Sequence, residues 1–133
     1  MRPVFLDANV LLRLATRVPE DLYERAKALV ARAEENGQPL FVHPLHVATA
    51  VYVLSGYYEY APAKVFEVLS IVLNLRPVRV VEEARVFGAL KEMSRTGVDV
   101  DDAFLALLAR EHGGAVASFD RDFKKLGVAW IEP

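Results

Sequence analysis

The chain has 133 residues, 53% of them hydrophobic and 26% charged, with seven glycines, seven prolines and no cysteine. A chain of this length buries roughly two-thirds of the surface its unfolded form exposes, so one apolar core suffices and a single domain over residues 1–133 is expected. Disorder is excluded by composition; a disulfide framework, a thiolate zinc site, an iron–sulfur cluster and a cysteine nucleophile are excluded by the missing sulfur. Sixteen basic against 18 acidic residues give a formal net charge of −2, which argues against a surface that coats nucleic acid throughout and leaves room for a local basic patch.

The apolar run Val4-Phe5-Leu6 stops at Asp7, far short of a signal-peptide core. No later stretch approaches the roughly 20 apolar residues that span a bilayer. The expectation is therefore a cytoplasmic protein without membrane association. Val4 to Leu6 reads as a strand, and Val10, Leu11, Leu12 and Leu14 as a helix capped by Asp7. From Pro19 to Asn36, Leu22, Ala26, Leu29, Val30 and Ala33 recur at helical spacing, with Gly37 where a C-cap glycine belongs. Leu40-Phe41-Val42 reads as a second strand.

Pro44 suits a first helical position, and Leu45 to Leu54 is apolar nearly all round apart from His46, Thr49 and Tyr52, the pattern of a buried helix ended by Gly56. Pro62 opens a helix carrying Val65, Phe66, Leu69, Val72 and Leu73, and Pro77 to Val81 has strand character. Glu82 to Arg95 is helical with Phe87, Leu90 and Met93 inward, and Asp101 to His112 with Phe104, Leu107 and Leu108 inward. Ala115 to Phe119 and Val128 to Ile131 complete the strands. Short apolar strands separated by helices imply an α/β fold, three layers deep, with a short central parallel sheet of four to five strands between helices.

In such a fold, function collects at the carboxyl ends of the strands. Two strands end on an aspartate, Asp7 and Asp120, and Asp102 opens the helix feeding the second of them. Three carboxylates brought to one edge repel each other unless a cation sits among them. Oxygen ligands suit Mg²⁺ or Mn²⁺ better than zinc. Each aspartate taken singly also has a plainer explanation as a helix cap: Asp7 before Ala8, Asp99 with Asp102 as a capping pair, Asp120 before the turn Arg121 to Lys124.

Three segments carry a resemblance. Phe5-Leu6-Asp7-Ala8-Asn9-Val10-Leu11-Leu12 resembles the opening motif of PIN domains, Asp99-Val100-Asp101-Asp102-Ala103-Phe104-Leu105-Ala106 their central segment, and Ala117-Ser118-Phe119-Asp120-Arg121-Asp122-Phe123-Lys124-Lys125-Leu126 their closing motif. The order and separations agree across the whole chain, and the length is similar to that of stand-alone VapC-like toxins of toxin–antitoxin pairs. The resemblance implies a metal-dependent endoribonuclease that hydrolyses RNA phosphodiesters, with an antitoxin protein as partner and a homodimeric assembly. Asp7, Asp102 and Asp120 match three of the family's four acids, as catalytic residues and ligands of Mg²⁺ or Mn²⁺. Asp7 and Asp102 would hold the principal ion, and Asp120 would complete its shell or orient the attacking water. Asn9 and Ser118 match supporting polar residues, with Asp99 and Asp122 as reserves.

The family's fourth acid lies in a pattern that reads here Val47-Ala48-Thr49-Ala50-Val51-Tyr52-Val53-Leu54, so Thr49 stands where a glutamate is usual. A hydroxyl brings no charge and cannot act as a carboxylate base. A second function follows from that departure: a weakened or inactive PIN-like module that binds RNA or protein. His46, one turn before Thr49, is a candidate nitrogen ligand or proton carrier, weighed against an ordinary surface histidine. His43, before a proline, and His112, at a helix C-terminus, are weaker candidates. Arg13, Arg17, Arg121 and Lys124 are candidates for RNA phosphate contacts. Tyr57, Tyr58 and Tyr60 form an aromatic cluster that suits base stacking, core filling or, preferred here, a dimer interface. A nucleotide-binding domain is disfavoured, since Asp7-Ala8-Asn9-Val10 follows the first strand where a glycine-rich loop would be needed.

Overall fold

A computed structural model describes all 133 residues. Contacts divide the chain into two compact units, Met1–Glu83 and Ala84–Pro133. The first holds β1 (Val4–Phe5), α1 (Ala8–Thr16), α2 (Glu20–Glu35), β2 (Leu40–Val42), α3 (Pro44–Gly56), α4 (Pro62–Leu73) and β3 (Val78–Val80). Its strands form a parallel sheet in the order β1-β2-β3, with Val4 opposite Leu40 and Leu40 opposite Val78. Parallel neighbours require crossover connections, and each is supplied by a pair of helices. In the central strand Leu40 and Val42 are completely buried. The alternate row carries Phe5 stacked on Phe41 at 5.3 Å between ring centroids.

Within this unit α1 packs against α2, α3 and α4, and buries Ala8, Leu11 and Leu12. Helix α2 buries Ala26, Val30 and Ala33, one stripe at helical spacing. The first turn of α3 is fixed by Pro44 and by His43, whose Nδ1 accepts the Leu45 N–H at 3.1 Å. Helix α3 buries Val47, Ala50, Val51 and Leu54, but Leu45, Thr49 and Tyr52 are exposed, Leu45 at 70%. The all-round burial expected of this segment is thus corrected. It packs on α1 and α4, and the 45/49/52 row lies outside that seam.

The second unit holds α5 (Glu83–Thr96, beginning at the boundary), α6 (Val100–Glu111), β4 (Ala115–Ala117), a 3-10 helix (Arg121–Leu126) and β5 (Ala129–Ile131). Strands β4 and β5 pair in parallel with Ala115 opposite Ala129. The core beneath them is Val98, Ala106, Val116, Phe123 and Leu126, with Ala109, Val128 and Trp130 packed against it. A Cβ at Gly88 would stand 3.0 Å from Leu107 Cδ1, so glycine permits the approach of α5 to α6. The inward stripe of α6 is Val100, Ala103 and Ala106, rather than the expected Phe104, Leu107 and Leu108, which are half-buried. Small residues let the backbone come close, and the large ones splay to the sides.

The α/β class with parallel strands is as expected. Five strands form, but as a parallel sheet of three and a parallel sheet of two rather than one sheet of four to five. Strands of two or three residues offer few backbone groups, and each ladder closes within its own unit. No helix is long and apolar enough to cross a membrane.

Leu11 is fully buried, so Leu11→Ala should lower the unfolding free energy by about 2–5 kcal/mol. The readout is a reduced urea midpoint at unchanged slope. The exposed Leu45→Ala should stay within about 0.5 kcal/mol of the parent, and equal losses for the two would contradict the core assignment.

Candidate active site

Asp7 follows β1 and is the N-cap residue of α1, with extended backbone at φ −76 and ψ 158. Its carbonyl accepts the N–H groups of Val10 at 3.0 Å and Leu11 at 3.4 Å, which starts the helix. Its carboxylate makes no capping hydrogen bond. Capping therefore explains the backbone of Asp7 and leaves the side chain to be explained. That carboxylate is 64% exposed, and Oδ1 lies 3.9 Å from His46 Nε2 in the first turn of α3.

The neighbouring candidates of this unit are placed as follows. Asn9 and Arg13 line a groove of about 790 Å³ between α1 and α2, together with Leu22, Arg25 and Arg32. Arg13 Nη1 donates to the Val18 carbonyl at 2.7 Å. The Arg17 guanidinium lies over the Tyr23 ring at 5.8 Å. Thr49 is exposed, and its hydroxyl donates to the Leu45 carbonyl one turn earlier at 3.0 Å. Tyr57 packs edge-on against Tyr58, Tyr58 lies 6.0 Å from Tyr60, and Lys64 covers the Tyr60 ring.

In the second unit Asp99 is the N-cap of α6 with no side-chain cap bond. Asp101 Oδ1 accepts the Asp102 N–H at 3.0 Å. Carboxylate oxygens of Asp99, Asp101 and Asp102 all lie within 4.8 Å of one another. Burial pushes the Asp102 carboxyl up to about 6, helped by the charges of Asp101, Asp99, Asp120 and Asp122 in that order. Asp120, by contrast, is a true cap: its Oδ1 accepts the Asp122 N–H at 2.8 Å. The Asp120 N–H is itself held by Ser118 Oγ at 2.9 Å, and the Ser118 carbonyl accepts Trp130 Nε1–H at 2.9 Å. Asp122 pairs with Lys125 at 3.3 Å, Lys124 lies over Trp130, and Arg121 is exposed.

Asp102 and Asp120 thus share one unit and act on each other electrostatically, while Asp7 belongs to the other unit, beside His46. Sequence reasoning passed over Asp101, although its place in the first turn of α6 next to Asp102 was the available signal. The donor set around Asp102 is all hard oxygen with surplus negative charge, which fits a divalent cation of the Mg²⁺ or Mn²⁺ kind.

The family model described as PIN domain matches residues 4–129. The chain belongs to the PIN domain family. It is also similar to a VapC ribonuclease of Aquifex aeolicus (strain VF5), with 28% identity over 129 residues that cover 96% of this chain and 95% of the other. The match of this PIN domain runs through every segment that carries a candidate aspartate.

Because the folded protein raises the Asp102 carboxyl from 3.8 to about 6, the unfolded chain loses that proton first as pH rises. Asp102 therefore costs stability progressively between about pH 4 and pH 6, and the cost levels off above that range. The melting temperature of the metal-free parent relative to Asp102→Asn, followed by Trp130 fluorescence, should fall across this window. Mn²⁺ should recover it in the parent alone; a difference independent of pH would contradict the crowding of Asp102.

Proposed function

We propose that this PIN domain is a divalent-metal-dependent endoribonuclease that hydrolyses RNA phosphodiesters. In this reading Asp7, Asp102 and Asp120 hold Mg²⁺ or Mn²⁺, and residues 1–133 act as one domain. The protein would be the VapC-like toxin of a toxin–antitoxin pair, a cytoplasmic homodimer restrained by an antitoxin protein. The observation that carries the reading is Asp102, a carboxyl held up to about 6 by burial and by four neighbouring aspartates. A cluster of that kind, in which Lys125 pairs with Asp122 alone, is costly unless a cation neutralises it. The likeness to a VapC ribonuclease along nearly the whole chain supports the substrate class.

When bound, the ion would supply Lewis-acid stabilisation of the charge developing on the phosphate and a nucleophilic water at neutral pH. The chain's own residues do the rest. Asp7, whose carboxylate makes no capping bond, and Asp102 would be the principal ligands. Asp120 has one oxygen committed to Asp122 and the other available to a ligand or to the attacking water. Ser118 fixes Asp120 through its backbone N–H, and Asn9 stands two residues after Asp7 as a supporting polar group. Arg121, with Arg13, Arg17 and Lys124, would steady the phosphates on either side of the scissile bond. At the pH of the cell Asp102 is mostly ionised, ready to bind a cation.

The test is cleavage of a fluorogenic RNA with and without Mn²⁺. Asp7→Asn and Asp102→Asn should each lower the metal-dependent rate by 100-fold or more, on the order of 3 kcal/mol of transition-state stabilisation, with unchanged circular dichroism. Cleavage by either variant at the parent's rate, in identically purified samples, would refute the reading.

One observation favours the alternative of a catalytically weakened or inactive PIN-like domain that binds RNA or protein. The Thr49 hydroxyl donates to its own helix and carries no charge, so no carboxylate comes from that position. Thr49→Glu adds a carboxylate and should tighten Mn²⁺ binding. Faster cleavage would then mark a weakened nuclease, and tighter metal without cleavage a binding module. Unchanged affinity would mean that position 49 does not face the ion.

A further inference from the structure

Among the titratable groups that the proposed machinery leaves unused, His46 is the one placed against a candidate ligand. It is the third residue of α3, in a turn locked by Pro44 and by the His43 cap, and its imidazole is 45% exposed. Its Nε2 lies 3.9 Å from Asp7 Oδ1. That separation is too long for a hydrogen bond. Two donors bound to one ion at about 2.1 Å each stand about 3.0 Å apart in neighbouring positions and about 4.2 Å apart in opposite ones. The observed 3.9 Å equals neither value and falls about 0.3 Å short of the opposite arrangement, a gap that a small rotation of either side chain closes. The Asp7 carboxylate makes no capping hydrogen bond, and the residue one turn further along α3, Thr49, donates its hydroxyl to the Leu45 carbonyl.

We propose that His46 Nε2 and Asp7 Oδ1 are joint ligands of the divalent ion, so that this chain completes its site with a nitrogen donor. The inference rests on the metal-dependent reading above. It also goes beyond it, because an imidazole changes which ion the site prefers. Carboxylates alone suit Mg²⁺, whereas an added imidazole favours Mn²⁺ and later transition ions. The site should accordingly discriminate for Mn²⁺ over Mg²⁺, and that discrimination should belong to His46.

The experiment is pulsed electron paramagnetic resonance of the full chain loaded with Mn²⁺ alone. It is paired with calorimetric titration of Mn²⁺ and of Mg²⁺. The parent should show nitrogen modulation on Mn²⁺, altered when the protein carries ¹⁵N-histidine. The modulation should vanish in His46→Gln and persist in His43→Gln and His112→Gln. His46→Gln should weaken Mn²⁺ by about 10-fold or more, and Mg²⁺ by less. Mn²⁺ that binds the parent, weakens in Asp7→Asn and shows no histidine nitrogen overturns the role of His46 while the metal-dependent reading stands. Mn²⁺ affinity unaffected by Asp7→Asn overturns both, since there would be no ion at Asp7 for His46 to share. The decisive measurement is made on the parent, so it does not depend on a variant folding.

Discussion

Five carboxylates, at positions 99, 101, 102, 120 and 122, fall in the segments that open α6 and the 3-10 helix, and their mutual repulsion sets what the surrounding chain must provide. Asp102 feels the other four and is driven towards its neutral form. The segments stay together because the apolar side of each is anchored in one cluster. Ala106 of α6, Val116 of β4, and Phe123 and Leu126 of the 3-10 helix are all buried there. Polar ties add to it: Arg110 donates to the Leu126 carbonyl, and Trp130 to that of Ser118. Packing of this kind is non-directional and roughly proportional to area, so it can hold like charges together where hydrogen bonds between them could not.

The first unit meets a different demand, which is to present one carboxylate at the end of a strand only two residues long. Such a strand cannot hold its own direction. Leu6 continues it through an N–H bond to the Phe41 carbonyl at 2.8 Å, and Ala8, Leu11 and Leu12 sink into the unit directly afterwards. Asp7 is therefore gripped on both sides by buried residues while its own side chain stays in solvent. The same logic applies to His46, half-exposed between a capped turn and the buried Val47.

The sequence was informative wherever one residue type answers to one backbone need. Pro44 and Pro62 begin helices, and glycines at 37, 97, 113 and 127 take positive φ after helices, so the bounds of most elements could be read to within a residue or two. The readings that failed depend on which neighbour a surface meets. Helix α3 is apolar nearly all round yet buries one side only, and α6 turns its alanines inward rather than its leucines. Composition does not encode the seam along which a helix is pressed. The positions of Asp7 and Asp120 after strands and of Asp102 at the opening of a helix were legible. Asp101, beside Asp102 in the same first turn, was open to the same reading; the Asp7–His46 spacing was not, because it depends on side-chain directions within a first turn.

Capping and ligation are often treated as rival explanations of an aspartate at a helix start, and here they separate cleanly. Asp120 spends an oxygen on the Asp122 N–H, so its geometry would be kept without any ion. Asp7 and Asp99 occupy cap positions with unbonded carboxylates, forgoing a contact worth about 1 kcal/mol. On the metal-dependent reading, that is the signature of side chains whose partner is a cation rather than the backbone. Charge carries the argument one step further. The chain has a formal net charge of −2, and its carboxylate cluster would repel a phosphate at close range. One divalent ion cancels that net charge and lowers, without reversing, the negative field at the cluster. Metal loading would then govern whether RNA can approach as well as whether it is cut. Because screening weakens exposed charges far more than partly buried ones, the dependence on metal would outlast the dependence on salt.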